Sequence, residues 1–343
     1  MSWGPAVRLR VRAAIARELE SGDARWAGLG LLSAAWGAAS ARAVCRPLSV
    51  PPGVRAIGVG GATLGGSCKT PFAIALTEAL ARRGERVALI GHAYRAKPRS
   101  ARMVLPTDDV YDVGDDALFA ARRLAEVGAP VIVAPTRQAA IDWAAREARC
   151  LVIDGVLQTR PERLARALLL LDADQPWGNG KCPPAGDLRA PPDALLGVAD
   201  IAIFVRDALA APSSPADIVA TVDRVVGCDG HPTPVAAFAG TKFGLLLAIA
   251  RPERVMRALA QRGLHPSVTV TLADHDRPRC RELDRSTKGA RIEAWLTTAK
   301  CATKLPWKVG GAPVFVLAHE LGLPRVLLDW ASSDCALPLF LGA

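Results

Sequence analysis

Aromatic residues are scarce and paired cysteines are missing. The chain of 343 residues has two Tyr and seven Phe and shows no basic-aromatic module, which ranks nucleic-acid binding below other readings of its positive charge. Eight Cys lie scattered with no C-x-x-C pair and no zinc spacing, which argues against a structural zinc site and reads as reduced cytosolic thiols. A long hydrophobic run is lacking too: the uncharged stretch Trp26 to Ala41 has 16 residues, many of them Gly, Ala and Ser, and is short for a spanning helix. A signal peptide fits badly, because that run begins late and Glu18, Glu20 and Asp23 precede it. Internal repeats and low-complexity tracts are absent.

What is present describes a folded protein. Half of the residues are hydrophobic and 22% are charged, which excludes disorder. The length suits one large α/β unit or two packed lobes. A formal net charge of +10, from Arg spread along the chain, favours acidic partners such as nucleotides or phospholipid headgroups. Trp26 to Ala41 has two readings: an interfacial helix flanked by Arg25, Arg42 and Arg46 with Trp26 and Trp36 at headgroup depth, or an ordinary buried helix.

After the proline-marked linker "RPLSVPPGV", "VRAIGVGG" predicts a buried strand running into a glycine loop. "PFAIALTEALARRG" predicts a helix that tolerates Pro71 in its first turn and ends at Gly84. "ERVALIG", "APVIVAP", "CLVIDG", "ALLLLD" and "IAIFV" predict strands, and "DDALFAARRLAEVG" and "RQAAIDWAARE" predict helices. This alternation implies a doubly wound, mostly parallel sheet. "CPPAGDLRAPPDALLG" reads as a long ordered loop or lid. A smaller α/β lobe then follows, with a strand near "GHPTPVAAFAG", a helix "RPERVMRALAQRG", a strand "SVTVTLAD", a helix around "EAWLTTAKCATKL" and a strand "PVFVLA". The expected division is an N-terminal helical segment 1–50, a core 51–228 and a C-terminal lobe 229–343.

The loop "GGATLGGSCKTP" carries Gly65, Gly66, Ser67, Cys68, Lys69 and Thr70 between a strand and a helix. That is where backbone N–H groups cradle phosphates, a Lys neutralises the β and γ phosphates, and a hydroxyl meets Mg²⁺. A P-loop wants Gly where Cys68 stands, and a side chain there is tolerated if φ stays negative. "VGDDALF" sets Asp115 and Asp116 at a helix start, as caps or as a base. "LVIDG" ends a strand in Asp154, a turn former or a metal-side carboxylate. "LADHDRP" sets His275 between Asp274 and Asp276, either a surface turn or an oriented base.

Taken together, "GGSCKTP", "VGDDALF", "VIVAPTRQAA", "LVIDGVLQTR", "WGNGKCPPAGDLR", "LADHDRP" and "WLTTAK" resemble, in order and spacing, the tetraacyldisaccharide 4′-kinases over about residues 26 to 330. The resemblance implies a P-loop nucleoside-triphosphate hydrolase-like fold with an N-terminal membrane-associated helix, ATP and Mg²⁺, and phosphorylation of the lipid A disaccharide precursor at the cytoplasmic face of the inner membrane. It implies no obligate protein partner. It assigns Lys69 and Thr70 to the P-loop, Asp115 and His275 to activation of the 4′-hydroxyl, Asp154 with Thr70 to the metal, and Tyr94, Arg137, Asn179 and Arg189 to the nucleotide and lipid cleft.

Several motif positions depart from the family pattern. Cys68 replaces the loop Gly, His92 and Ala93 replace Arg-Gly, and Asp116 replaces Glu. Gly155 replaces a second Asp, Val156 replaces Gly, Thr159 replaces His and Ala190 replaces Glu; Ala299 and Cys301 replace two carboxylates. The losses at the loop and the metal side leave two alternatives open, a homologue that binds nucleotide or lipid without transfer, and a P-loop ATPase of assembly or targeting type.

Overall fold

The computed structural model describes residues 29–44, 47–94, 96–156, 160–161, 166–207, 217–276, 283 and 291–333. These form two compact units, a larger one holding the described residues up to Val219 and from Leu321 on, and a smaller one holding the described residues of Ala220–Glu320.

The larger unit starts with helix α1 (Leu29–Val44) and strands β1 (Pro47–Leu48) and β2 (Arg55–Gly61). Helix α2 (Lys69–Arg82) leads to β3 (Val87–Ile90) and β4 (Arg102–Met103), and α3 (Val110–Val113) and α4 (Asp115–Leu124) lead to β5 (Val131–Val133). Then come α5 (Arg137–Glu147), β6 (Cys150–Asp154), β7 (Arg160–Pro161), β8 (Arg166–Asp172), α6 (Pro192–Leu196) and β9 (Ile201–Asp207). The strand order is β9-β8-β2-β6-β3-β5-β4, parallel throughout except for β4. β2, β3, β6 and β8 are almost continuously buried, as expected of strands covered on both faces. Ile90, Ile132, Ile141, Leu151 and Ile153 form one core cluster, and Ala62, Leu169, Leu188 and Leu195 belong to another.

α1 packs by one stripe: the Ser33 hydroxyl donates to the Cys182 carbonyl at 2.6 Å, a Cβ on Gly37 would touch Pro191, and Val44 is fully buried. Leu31, Leu32 and Trp36 point the other way, 80%, 60% and 51% exposed. No helix among the described residues is long and apolar enough to cross a membrane. The predicted start of this segment, with Arg25 and Trp26, and also Arg46 and Thr159, lie outside the described residues.

The smaller unit contains most of β10 (Ile218–Val226), β11 (Pro232–Pro234), β12 (Phe243–Leu247), α7 (Pro252–Ala260), β13 (Val268–Thr271), β14 (Ala294–Thr298), α8 (Ala299–Ala302), β15 (Lys308–Val309) and most of β16 (Ala312–Gly322). β13, β12, β14 and β16 are parallel neighbours in that order. The expectation of a helix around "EAWLTTAKCATKL" is corrected: Ala294–Thr298 is a buried strand, and only Ala299–Ala302 is helical. Ala294, Trp295, Leu296 and Thr297 are buried, and the Thr297 hydroxyl donates to Leu246 O of the neighbouring β12 at 2.7 Å, so the stretch fits the middle of a sheet. Gly244 lies opposite Trp295 in register, and a Cβ there would overlap the indole, so this glycine admits the ring. β12, which the sequence reading left unassigned, is the strand between β13 and β14.

Candidate functional site

In the larger unit, functional side chains collect at the carboxyl ends of adjacent parallel strands, where open α/β sheets bind ligands. β2 runs into the glycine loop, β6 ends in Asp154, β3 leads into Gly91 and His92, and β5 into the turn whose Thr136 caps α5, accepting from the Ala139 N–H at 3.1 Å. That cap makes Arg137 the first residue of α5.

The loop after β2 is pinned from both sides. Its start pairs with the segment Asp187–Arg189: Arg189 N–H donates to Ala62 O and Leu64 N–H to Asp187 O, both at 2.8 Å. Thr63 and Leu188 form an antiparallel bridge. Gly61 has no room for a side chain because Ser67 Oγ lies there. Gly66 takes φ 79°, and Lys69 Nζ donates to Leu64 O at 3.4 Å. Cys68 caps α2 with φ 55° and ψ 19°. The condition of a negative φ is therefore not met: a cysteine holds the left-handed conformation that glycine adopts freely, a cost of about 1–2 kcal/mol.

Behind the loop, the Thr70 hydroxyl donates to Asp154 Oδ2 at 2.6 Å, and both residues are buried. Asp154 Oδ1 and Ser67 Oγ are buried without a hydrogen-bond partner. Two guanidinium groups face the same carboxylate. Arg189 is buried, with its Nε unpartnered, and burial with the neighbouring Arg137 pushes it down to about 10 against the pull of Asp154. Burial also lowers Arg137, again opposed by Asp154. Arg137 Nη1 donates to Gly91 O at 3.2 Å.

A cavity of about 410 Å³ opens beside Arg137, lined by His92, Ala93, Lys97, Pro135 and Thr136. His92 is exposed to solvent on its outer side, yet loss of hydration where it meets this hollow and the charges of Arg137, Lys69 and Arg189 push it down to about 4, against the pull of Asp116; the exposed ring feels this less than a buried one would. Tyr94 is half exposed, its ring 6.0 Å from that of His92. Gly114, at φ 88°, lets the backbone of Ala93 and Tyr94 approach the start of α4. There Asp115 is buried and its Oδ1 accepts the Asp116 N–H at 3.0 Å.

Asn179 folds its own loop: its Nδ2 donates to Ala185 O and its Oδ1 accepts the Lys181 N–H, both at 3.0 Å. His275 belongs to the smaller unit, at φ 62° beyond the end of β13. Lys300, just after β14, places Nζ 3.1 Å from His275 Nε2 and 3.0 Å from Asp274 Oδ1. An ammonium only donates, so Nε2 accepts and a neutral ring carries its proton on Nδ1. Cys301 Sγ accepts the buried Ala248 N–H at 3.2 Å.

The larger unit thus gathers Gly65–Thr70, Arg137, Asp154 and Arg189 at one set of strand ends, while Asp115 and Tyr94 flank the neighbouring loop. Sequence reasoning overlooked the parts played by His92, Lys97 and Lys300. Each follows a strand of a parallel sheet or its next loop, and that position was the available signal.

Comparison with known proteins shows the family. The family model for LpxK, tetraacyldisaccharide-1-P 4′-kinase, matches residues 27–330. A tetraacyldisaccharide 4′-kinase of Methylobacterium nodulans is 32% identical over 308 residues, covering 88% of this chain and 87% of that one. One from Dinoroseobacter shibae is 30% identical over 90% of this chain and 91% of its own. LpxK from Aquifex aeolicus, solved in complex with ATP, has a similar fold, with a TM-score of 0.61 and 18% identity over 88% of this chain and 94% of that one. By the family match and these relatives, the chain belongs to the tetraacyldisaccharide-1-P 4′-kinase family.

Proposed function

We propose that this protein transfers the γ phosphate of ATP to the 4′-hydroxyl of the tetraacyldisaccharide 1-phosphate precursor of lipid A. Family membership supports the reaction, and the observation that carries it to this chain is the buried Thr70–Asp154 pair behind the glycine loop. Backbone N–H groups of Gly65–Thr70 and the Lys69 ammonium would hold the β and γ phosphates at the start of α2. Thr70 and Asp154 fit Mg²⁺, a hard cation that takes oxygen ligands, and the buried Asp154 Oδ1 has no other partner. Mg²⁺ held there would supply positive charge to the β and γ oxygens as the bond to the leaving ADP breaks. Arg137 and Arg189 neutralise charge on the same side.

Asp115 accepts the proton of the attacking hydroxyl, its other oxygen being held by the Asp116 N–H. His275 would share that task, its Nε2 held by the Lys300 ammonium, which Asp274 holds in turn. Tyr94 and Asn179 border the acceptor, with Asn179 acting by shaping its loop. The core 51–228 would carry the nucleotide, and 229–343 would contribute His275. The helix α1, with Leu31, Leu32 and Trp36 bare, would lie on the cytoplasmic face of the inner membrane and bring the enzyme to its lipid.

A nucleotide-binding homologue without transfer is the second reading, favoured by the left-handed Cys68. Transfer of labelled γ phosphate to the purified disaccharide 1-phosphate in detergent decides between them. Wild type should phosphorylate the acceptor, and Asp115→Ala should lose about 100-fold or more in kcat. ATP binding with no transfer by wild type would leave the second reading.

A further inference from the structure

The smaller unit has strand ends of its own, and they bring Asp274, His275 and Lys300 together. β13 leads into a turn closed by the Asp276 N–H donating to Ala273 O at 2.9 Å, and within it His275 holds the left-handed φ of 62°. Few residues other than glycine adopt that backbone, and those that do cluster where a side chain has a task. Lys300 comes from β14, on the far side of β12. Its turn is fixed: Thr298 Oγ1 accepts the Cys301 N–H at 3.4 Å, the Thr303 hydroxyl donates to Lys300 O at 2.7 Å, and Cys301 is fully buried against Ala248. The His275 and Lys300 side chains are 14% and 18% exposed, so little water competes for their contact.

Two groups face His275 Nε2. Lys300 Nζ lies at 3.1 Å, whereas Asp274 Oδ2 lies at 3.5 Å, beyond the ordinary length of an N–H···O bond. Asp274 is engaged instead with the ammonium, through Oδ1 at 3.0 Å. The ammonium offers protons and accepts none, so Nε2 gives its lone pair to Lys300 and the ring proton sits on Nδ1. With Nε2 occupied and Nδ1 already protonated, neither nitrogen is free to take another proton. We propose that Lys300 is a positioning residue that fixes His275 as a neutral Nδ1–H ring, so that His275 serves the transfer as a hydrogen-bond donor and leaves the proton of the attacking hydroxyl to Asp115. The proposal rests on the kinase reading above and narrows the part of His275 within it.

The test joins imidazole nitrogen NMR with phosphate transfer. In protein labelled with ¹⁵N-histidine, His275 is one of five signals, identified as the one lost in His275→Asn. At a pH where the ring is neutral, wild type should show the Nδ1–H tautomer, Lys300→Met should gain the Nε2–H form, and Lys300→Arg, still a donor only, should keep Nδ1–H. Lys300→Met should lose about tenfold in kcat, the size of one charged hydrogen bond, and Lys300→Arg should stay within about threefold of wild type. His275→Asn and His275→Asp have the same shape and both tolerate a left-handed turn, but Asn can donate and ionised Asp only accepts. His275→Asn should therefore keep about tenfold more kcat than His275→Asp. An Nε2–H ring in wild type, an unchanged tautomer in Lys300→Met, or His275→Asp matching or exceeding His275→Asn would overturn the proposal. Should Lys300→Met fail to fold, the wild-type tautomer and the contrast of Asn with Asp decide. If wild type transfers no phosphate, the kinase reading fails, and the tautomers of wild type and Lys300→Met alone decide whether Lys300 fixes the ring.

Discussion

Cys68 is the residue at which local and functional demands conflict. Its backbone at φ 55° serves the turn that starts α2, and any side chain there is strained. Cys68→Gly removes that strain of about 1–2 kcal/mol but adds freedom to the unfolded chain worth about 0.4–1 kcal/mol, so a net gain of about 0.5–1 kcal/mol is expected in urea denaturation. The same variant should transfer phosphate faster; a less stable protein would show that the cysteine makes a compensating contact. His92 gives a pH signature. Its folded value of about 4 lies below the ordinary 6.5, so as pH falls the unfolded chain takes up the proton first. Its contribution is fully present above about 6.5 and is lost as pH falls toward 4. The melting temperature of wild type should therefore drop more steeply across that window than that of His92→Gln; parallel curves would refute the assignment.

Among the elements, α1 and α2 behave in opposite ways. α2 is anchored through Phe72, Leu76 and Leu80, and Glu78 bonds Arg82 and Arg123, so it is held in the sheet's covering layer. α1 packs on the protein through Ser33, Gly37 and Val44, with Ser40 against Cys182. Replacing Leu31, Leu32 and Trp36 together by Ser should leave stability within about 0.5 kcal/mol, because these side chains are already exposed. Partition onto vesicles with anionic lipid should fall about tenfold or more, since each would otherwise bury apolar area in the interface. Unchanged vesicle binding would remove α1 from the membrane reading.

For the molecule as a whole, the charge of +10 acts at longer range than any one contact. Raising salt from 0.05 to 0.5 M shortens the screening length from roughly 14 to 4 Å. Vesicle binding should then weaken several-fold, and more so for vesicles rich in phosphatidylglycerol than for neutral ones. Equal loss on both compositions would show that apolar contact alone carries the attachment.

The strands of the larger unit were legible because parallel strands buried on both faces write themselves as unbroken runs such as "CLVID" and "ALLLLD". The glycine loop was legible because its residue types serve a backbone task that few others allow. β14 was misread, because a stretch this short has no period that separates strand from helix until its neighbours in the sheet are known. The sign of φ at Cys68, the hold of Asp187–Arg189 on the loop, and the meeting of Gly155, Arg137 and His92 all join positions many residues apart or depend on local backbone geometry. Composition and local pattern settle which segments become strands and which loop can grip phosphate. Which cations surround Asp154 follows from how the chain returns to the same strand ends, a long-range outcome that no local run of residues encodes.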